Sequence, residues 1–539
     1  MYVSPSGTPS GPGTLARPYD LATAVLGAAG KPGDTFWLRG GNYVIGHIDT
    51  RIAGAPGQPI TFREVPGERA RVDGSLTFFG SMGHVILRDF EFYSSDTNRV
   101  SSQTNAGFNV TDIKIIPGIA SFSPNLSFIN LIVRDQTRHG FYISEISTNN
   151  LVYGCIVYNN GWISADNAEG HGVYAQGLIG SKEISDCLVF NNSGVNMHIY
   201  ENTANRWLMG ILLEGNVAFN AGAIQNLRRY EDWVVGVDYP SRYADQIVLR
   251  NNMGYRRPGA SAYSEVQIGR QGINGSVALL NNYFPLGLWM NNWTIAAVSG
   301  NFFGGQSTHH IVRLNQTEVD LAAAWDNNHY TRSGSARGFL GDSMEYNFSG
   351  WQQAMGFDEH SSYQDQGSSG ATVIVRTNRY EPGRAHIVVY NWDNLVEATI
   401  DLSSVLAQDA AYEVRNAQDF FAAPVAGGIF DGQPLRLPMT GLSVASPNGP
   451  LLTAPPTGPE FNVFVLLPRK TRLTATVAEG ETRVLWPTNS GNWVLEYTEN
   501  LSSAGNWMVD TNTPVVDGGQ YAVTNDLHQR RFYRLRAIP

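Results

Sequence analysis

A short phrase of alternating apolar and polar residues is written seven times between Asn130 and Asn301. In each copy the alternation passes through a small or amide residue and then resumes. The copies are PNLSFINLIVRD, NLVYGCIVYNN, EISDCLVFNN, ILLEGNVAFN, QIVLRNNMGY, VALLNNYF and IAAVSGNFF, and their small or amide residues are Asn130, Cys155, Cys187, Asn216, Asn252, Asn282 and Asn301. A fixed phrase with spacers of unequal length is typical of a solenoid, in which each coil buries its inner face against its neighbours.

The phrase has the two-residue period of a strand, and Val, Ile and Phe dominate it. A helix would instead place apolar residues three and four positions apart. We therefore predict an all-β solenoid, with a β-sandwich carrying chance repeats as the alternative. Asn at one bend of successive coils would let side-chain amides hydrogen-bond along the stack. Cys155 and Cys187 share this position, so they are either inward small residues, which we prefer, or a disulfide.

Charge and composition limit the partners of the chain. Its 539 residues have a formal net charge of −10, and 16% of them are charged. An acidic chain without a basic stripe argues against nucleic acid, and no apolar run is long enough to span a membrane. The chain has few charged residues but 12 Trp and 24 Tyr, so its surface should be rich in uncharged polar and aromatic groups. Such a surface suits contact with a polysaccharide or oligosaccharide. Met1 followed directly by YVSPSG indicates that a secretion signal has been removed, so we expect an extracellular or periplasmic location.

The opening segment carries a second pattern. A cluster of Gly, Pro and Ser precedes an apolar-faced helix, predicted over 19–29, and a strand, predicted over 35–39. The YVSPSG start and the PGDT and LRGGNY phrases resemble the first segment of secreted bacterial right-handed parallel β-helix proteins, the architecture of pectate lyase-like enzymes. With the seven copies, the resemblance covers about residues 1–345. It implies a right-handed parallel β-helix but not a reaction, because that fold carries lyases, glycoside hydrolases, epimerases and adhesins.

Three domains are predicted from these patterns. Residues 1–345 form the β-helix with its N-terminal capping helix and are the catalytic candidate. Residues 346–468 contain an exit cap and an antiparallel β-sandwich, since short strands there alternate with turn residues. This part resembles the segments that follow catalytic domains in many glycoside hydrolases. Residues 469–539 form a small β domain to which we assign no role.

A substrate groove is predicted on the strands that follow the bend. Aligning GFYIS, GVYAQ and NMHIY turns alternate side chains inward and outward. The predicted outward positions are Tyr142, Tyr174 and His198 in one column, Ser144, Gln176 and Tyr200 in the next, and Gln267 and Arg270 further along. The insertions 162–170 and 230–243 would flank the groove and carry Trp162 and Trp233 as platforms for sugar stacking.

Stacked coils offer a simple way to set a pair of carboxylates. Outward residues lie about 4.8 Å apart on adjacent coils and about 9.6 Å apart two coils away. Those separations are close to the carboxyl spacings of retaining and inverting glycoside hydrolases. The candidate catalytic carboxylates are Glu201, Glu231, Asp232 and Glu265, one as a general acid and another as base or nucleophile.

The Gly-His-Gly at 170–172 resembles that of polygalacturonase-type hydrolases, which implies that His171 supports the catalytic carboxylates, although the other motifs of that family are absent.

The reaction that competes with hydrolysis is β-elimination at a uronic acid, with Tyr174, His198, Tyr200 or Arg270 as base. It could use Ca²⁺ held by Asp166, Asn167 and Glu169. We expect a glycoside hydrolase, with a polysaccharide lyase and a non-catalytic glycan-binding protein as alternatives.

Overall fold

The structure is a computed structural model whose contacts divide the chain into two units. It describes residues 1–203, 206–257, 266–305, 310–315, 324–332, 337–341, 343–469, 473–478, 480–487, 493–500, 507–526 and 531–537. The first unit consists of Met1–Ser369 and Val444–Thr457, and the second of Gly370–Ser443 and Gly458–Pro539.

The first unit is a parallel β-helix built from three rows of strands. The first row consists of Tyr2–Val3, Thr35–Leu38, Ile60–Glu64, Val85–Arg88, Leu126–Ile129, Asn150–Tyr153, Lys182–Ser185, Leu208–Glu214, Ala244–Arg250, Asn274–Leu280, Trp293–Ser299 and Trp325–Asp326. The second row consists of Glu91–Tyr93, Ile132–Arg134, Ile156–Tyr158, Leu188–Phe190, Val217–Phe219, Met253–Tyr255, Tyr283–Phe284, Phe302–Gly305, His329–Arg332 and Ser362–Gln364. The third row consists of Ile119–Phe122, Phe141–Ile143, Val173–Ala175, Met197–Glu201, Trp233–Val237, Val266–Ile268, Leu288–Asn291, His310–Asn315 and Arg337–Gly341.

A few strands lie outside this regular pattern. The long strands Gly41–Asp49 and Ala70–Phe79 pair with each other, and the second of them continues into both the second and third rows. Met344–Tyr346 pairs antiparallel with the last strand of the third row. Trp162–Ile163 and Ala168–Glu169 form a short antiparallel hairpin between two rungs.

A short helix lies near each end of the stack. The first, Leu21–Val25, begins where the Asp20 side chain accepts a hydrogen bond from the Thr23 backbone N–H, and it is shorter than the predicted 19–29. The second, Phe348–Met355, is capped by Asn347 and ends at Gly356, whose φ of 68° suits glycine. Within the described part of the chain, no helix has the length and apolar character needed to cross a bilayer.

The interior of the β-helix is a continuous column of inward apolar side chains. Cys155 and Cys187 are both part of it, fully buried and present as free thiols. The Cys187 thiol donates to the Ser185 carbonyl oxygen, and burial raises the pKa of Cys187 well above its usual value. The preferred interpretation of both cysteines as inward small residues is confirmed.

The predicted amide stack is present along the bend between the first and second rows. Each Asn side-chain oxygen accepts hydrogen bonds from the backbone and side-chain N–H groups of the Asn one coil earlier, at 2.9–3.1 Å. The ladder runs through Asn216, Asn252, Asn282, Asn301 and Asn328. Its members have 0–2% of their surface exposed, so these bonds satisfy groups that water cannot reach.

The predicted register of this column is wrong at Asn130. Ile132 pairs with Ile156, so the residue level with Cys155 is Leu131, which is fully buried. Asn130 lies one position earlier and has a φ of 53°, as Gly154 at the same position has 64°. This position requires a left-handed backbone, which glycine and asparagine tolerate best. Amide residues occur at both neighbouring positions of the bend, and the sequence alone did not separate them.

Replacing Asn252 with Ala should destabilise the β-helix by about 2 kcal/mol, since buried amide and carbonyl groups on both neighbouring coils lose their partners. The Asn252 side chain exchanges hydrogen bonds with Asn216, Asn282 and the Leu213 carbonyl. The measurement is chemical unfolding followed by far-ultraviolet circular dichroism. Asn226→Ala, at an exposed position, is the matched control, with an expected change under about 0.5 kcal/mol. Equal stability of the two variants would contradict a stabilising role of the ladder.

The second unit is antiparallel and contains two separate apolar clusters. The first belongs to a five-stranded sheet, in the order Ala371–Thr377, Ala385–Asn391, Phe461–Pro468, Ala411–Asn416 and Ala426–Ile429, and to the pair Glu397–Ile400 and Leu435–Pro438. The second belongs to the strands Thr474–Ala478, Glu481–Pro487, Gln520–Asp526 and Val515–Asp517 and to Met508–Val509, Trp493–Thr498 and Phe532–Ala537. A 3₁₀ turn spans Ala417–Asp419. The described strands agree with the predicted antiparallel sandwich and small β domain.

The boundary between units differs from the predicted one at 345. The exit cap, up to Ser369, belongs with the β-helix, because the buried Trp351 donates to Asp358 and Asp358 is also bonded by Asn328 of the amide ladder. The segment Val444–Thr457 also belongs to the β-helix unit, although it lies within the range 346–468 that was predicted to hold the exit cap and the sandwich. Its Asn448 backbone N–H donates to Asp135, and its Asn448 carbonyl accepts from the buried Arg99.

Candidate active site

The predicted outward column of the third row is confirmed in register. Tyr142 pairs with Tyr174, and Tyr174 with His198. The next coil contributes Val234 at this position, and the coil after it contributes Gln267. Each of these coils adds one side chain to the same outward line, because a parallel stack without register shifts keeps equivalent positions above one another.

The aromatic members of this line are in continuous ring contact. Ring centroids lie 5.5 Å apart for Tyr142 and Tyr174, 5.2 Å for Tyr174 and His198, and 4.4 Å for His198 and Tyr200. Beside them, Gln176 accepts a hydrogen bond from the Tyr142 hydroxyl and donates one to Glu201. The tyrosines and His198 are half-buried, so their edges remain open to a ligand while their faces support one another.

Two further histidines lie beside this line, in ring contact with His198, and all three are neutral. His139 and His171 have parallel rings 5.0 Å apart, and the His198 ring lies 4.1 Å from that of His171. The Nδ1 atoms of His139 and His171 accept hydrogen bonds from backbone N–H groups, so each neutral ring carries its proton on Nε2. Burial, reinforced by the positive charge of Arg138, lowers the pKa of His171 to about 3. Burial lowers the pKa values of His139 and His198 well below the usual range.

Glu169 faces this histidine stack. Its Oε2 lies 3.7 Å from the His171 Nε2, and its side chain is about nine-tenths buried. Burial raises the pKa of Glu169 to about 7, although Arg228 and Arg138 act in the opposite direction. A carboxyl group that is half-protonated near neutral pH can donate a proton as well as accept one.

A polar cluster lies at the other end of the aromatic line. The Arg270 guanidinium donates to the Gln267 side-chain oxygen at 2.7 Å and pairs with Asp238 at 3.3 Å. The Tyr200 hydroxyl donates to the same Asp238 carboxylate at 2.9 Å. Tyr174, Gln176, His198, Tyr200, Gln267 and Arg270 are therefore brought together as predicted. Their placement on one outward wall is confirmed, and their role in binding stays a prediction.

Two of the predicted catalytic carboxylates do not face this wall. Glu201 is fully buried, and its oxygens accept hydrogen bonds from Gln176, the Asn202 and Thr203 backbone N–H groups and the Thr203 hydroxyl. Asp232 is also buried, bonded by Asn196 and the Ala221 N–H and paired with Arg256 at 2.9 Å. Their predicted outward placement is wrong, because each carboxylate is buried and accepts at least three hydrogen bonds inside the protein.

Of the other two predicted carboxylates, only Glu231 lies among the described residues. Glu231 is half-buried beside Tyr230, whose pKa it helps to raise after the larger effect of burial. Glu265 lies outside the described residues.

The predicted stacking platforms Trp162 and Trp233 are wrong. Trp162 has 1% of its surface exposed and packs against Val110 and Ile113 of the preceding loop. Trp233 is fully buried because it occupies an inward position of its strand, level with Met197. The sequence placed both in long insertions, but Trp162 begins a hairpin and Trp233 begins a rung.

The coils that carry this wall are similar to those of known proteins. Residues 1–232 match the Pel9A-like right-handed beta helix region. This match indicates that the β-helix is right-handed, and it confirms the resemblance to pectate lyase-like β-helix proteins. No curated protein matches the sequence.

Solved structures similar to this chain include pectate lyase Pel9A, with 15% identity, 59% of this chain and 78% of that one covered, and a TM-score of 0.36. A rhamnogalacturonan lyase has 14% identity, coverage of 68% and 86%, and a TM-score of 0.36. A GH136 lacto-N-biosidase from Eubacterium ramulus has 12% identity, coverage of 68% and 67%, and a TM-score of 0.38. None of these similarities bears on the reaction.

The three predicted calcium ligands each have a neighbour within the protein, and their role as ligands stays a prediction. Asp166 accepts from Ser164 and the Asn105 N–H, while the Asn167 side-chain oxygen accepts from Arg228 at 2.6 Å. Glu169 faces His171 instead. The guanidinium of Arg228 therefore occupies the Asn167 oxygen that a cation would need. Within the described ranges, no three His, Cys, Asp or Glu side chains converge as metal ligands.

Two charged groups at the groove, Arg138 and Asp238, were not predicted. Arg138 is exposed and close enough to lower the pKa values of both His171 and Glu169. It lies in the turn just before the strand of Tyr142, where no periodicity points to it. Asp238 could have been found, because it continues the outward parity of Val234 and Gly236 along its strand.

The raised pKa of Glu169 predicts a pH dependence of stability. A carboxyl whose pKa is higher in the folded than in the unfolded chain stabilises the fold at low pH, and this contribution is lost as pH rises from about 4.5 to about 7. The buried neutral histidines act in the opposite direction below about 6.5. The difference between the wild type and Glu169→Gln should therefore isolate the carboxyl, changing by about 3 kcal/mol across that interval. Thermal unfolding at several pH values measures it, and parallel curves for the two proteins would show that Glu169 titrates normally.

Proposed function

We propose that the β-helix unit is a polysaccharide-cleaving enzyme that acts by β-elimination on uronic acid residues. The observation that supports this most is a neutral His198 held between two protonated phenols, with arginines at both ends of the same wall. Burial raises the pKa values of Tyr174 and Tyr200, so both keep their protons at neutral pH. A neutral imidazole accepts a proton and a phenol donates one, which are the two transfers that elimination needs.

The proposed reaction uses these groups in fixed roles. His198 takes the proton from C5 of the uronate through Nε2, since its Nδ1 is buried and out of reach of a ligand. The C4–O bond breaks, the C4–C5 double bond forms, and the departing sugar oxygen receives a proton from Tyr174 or Tyr200. Arg138 and Arg270 bind uronate carboxylates, because guanidinium matches carboxylate geometry and withdraws the charge that develops beside C5.

Hydrolysis by paired carboxylates is the second candidate. It rests on Glu169, since a carboxyl with a pKa of about 7 is suited to protonate a leaving sugar oxygen. With Glu201 and Asp232 engaged structurally, the partner that remains on the wall is Asp238, which accepts a hydrogen bond from Tyr200. A non-catalytic glycan-binding protein would use the same wall without turnover.

The test is a panel of plant and algal polysaccharides incubated with the full-length chain and assayed both for new reducing ends and for ultraviolet absorbance. Elimination predicts both signals in step, because every cut leaves a conjugated double bond. Reducing ends without absorbance would replace elimination by hydrolysis, and the absence of both would leave a binding protein. Repeating the assay with a chelator tests for Ca²⁺. We also propose an extracellular or periplasmic location, where polymeric substrates are found.

A further inference from the structure

An exposed aromatic pair continues the second outward column of the groove. Phe79 and Phe122 pair across adjacent coils, and their rings are stacked 4.8 Å apart. One residue further along its strand than the pairing of Ile143 with Ser121, Ser144 lies level with Phe122. The column therefore runs from Phe79 through Phe122 and Ser144 to Gln176 and Tyr200.

Ring contacts join this pair to the reacting groups without a break. Phe122 meets Tyr142 edge-on at 5.4 Å, and Tyr142 stacks on Tyr174, which stacks on His198. Phe122 lies three coils from His198, and Phe79 lies four coils from it. At the spacing of adjacent strands, these separations are about 14 Å and about 19 Å. A sugar chain lying along the wall would reach that distance after a few residues.

The exposure of the pair is unusual for its residue type. Phe79 has 46% of its surface exposed and Phe122 is half-buried, on a wall where most outward residues carry hydroxyl, amide, imidazole or guanidinium groups. An apolar ring offers nothing to the charged groups of a uronate. It does offer a flat surface to the C–H face of a pyranose ring, since stacking on aromatic groups buries that face away from water.

We propose that Phe79 and Phe122 form a distal subsite that stacks a pyranose residue of the polyuronate, several residues from the bond that is cut. This proposal rests on the proposed function for its substrate class. It gives the groove a direction: charge recognition lies around Arg138 and Arg270, and apolar stacking lies toward the N-terminal end of the β-helix.

The test is affinity electrophoresis of the full-length chain in gels containing polygalacturonate or alginate. Wild type should be retarded by at least one polymer, and Phe79→Ala and Phe122→Ala should bind about tenfold more weakly. Phe79→Trp should stay within about twofold of wild type. The matched control is Phe302→Ala, because Phe302 also stacks on the next coil, 4.4 Å from Tyr283, but in the second row. It should bind as wild type does.

Equal migration of Phe79→Ala and Phe302→Ala would overturn the subsite, as would a wild type that neither polymer retards. Phe79 is at the surface, so its variant remains informative if Phe122→Ala fails to fold. The two proposals fail separately. Retardation that depends on Phe79, in a protein whose products do not absorb, would keep the subsite and overturn elimination.

Discussion

His198→Ala in the full-length chain is expected to lower the rate of polysaccharide cleavage by about 10²- to 10⁴-fold, the range that a positioned general base contributes. The loss should fall on kcat, because the tyrosine and arginine contacts that bind the chain remain. The measurement is the initial rate of ultraviolet absorbance increase at saturating polymer, together with the thermal unfolding midpoint to show that the fold is kept.

The matched control for that variant is His329→Ala. His329 is also an outward, partly exposed histidine of the stack, bonded to Ser362 and with a pKa lowered by burial, but it belongs to the second row. It should cleave at the wild-type rate. A His198 variant that keeps more than about a tenth of wild-type activity would remove His198 from the reaction.

Asp232→Ala is expected to lower the free energy of unfolding of the β-helix by about 4 kcal/mol, because it leaves the Arg256 guanidinium buried without its partner. The pair is almost fully enclosed, with 5% of the Arg256 side chain and none of the Asp232 side chain exposed. Asn196 and the Ala221 N–H also lose an acceptor. Chemical unfolding measured by circular dichroism gives the loss, and adding Arg256→Leu should recover part of it.

The control for the buried pair is Glu214→Ala, which breaks an ion pair with Arg250 in which the Arg250 and Glu214 side chains are 46% and 20% exposed. Water and salt screen such a pair, so its loss should cost under about 1 kcal/mol. If Asp232→Ala folds with wild-type stability and loses cleavage, the carboxylate is catalytic and its assignment to a structural ion pair is wrong.

The strand pattern was predictable because it follows from geometry that recurs in every coil. Apolar alternation fixed the inward and outward faces, and so the sequence alone placed Tyr174, His198 and Gln267 on one wall. The residue that each coil contributes to the wall was harder to predict. Val234 interrupts the line between His198 and Gln267, and Ala168 and Tyr230 pack with it in a small apolar cluster.

The errors have a common cause. The alternation of residues shows which side of a strand a side chain lies on, but not whether other parts of the chain bury it. Glu201 and Asp232 were chosen because they are carboxylates near outward strands, yet each finds enough donors nearby to be buried. Trp162 was placed on a wall because it lies in an insertion, and that insertion folds back into a hairpin. The raised pKa of Glu169 arises from burial by groups distant in sequence, which no local pattern reveals.

The most direct test is a crystal structure of the His198→Ala variant with an oligosaccharide from the polymer that the wild type cuts. We expect sugar density along the outward wall of the third row, with a carboxylate at Arg138 or Arg270 and a pyranose ring over Phe79 or Phe122. Sugar bound on the first or second row, with the third row empty, would contradict it.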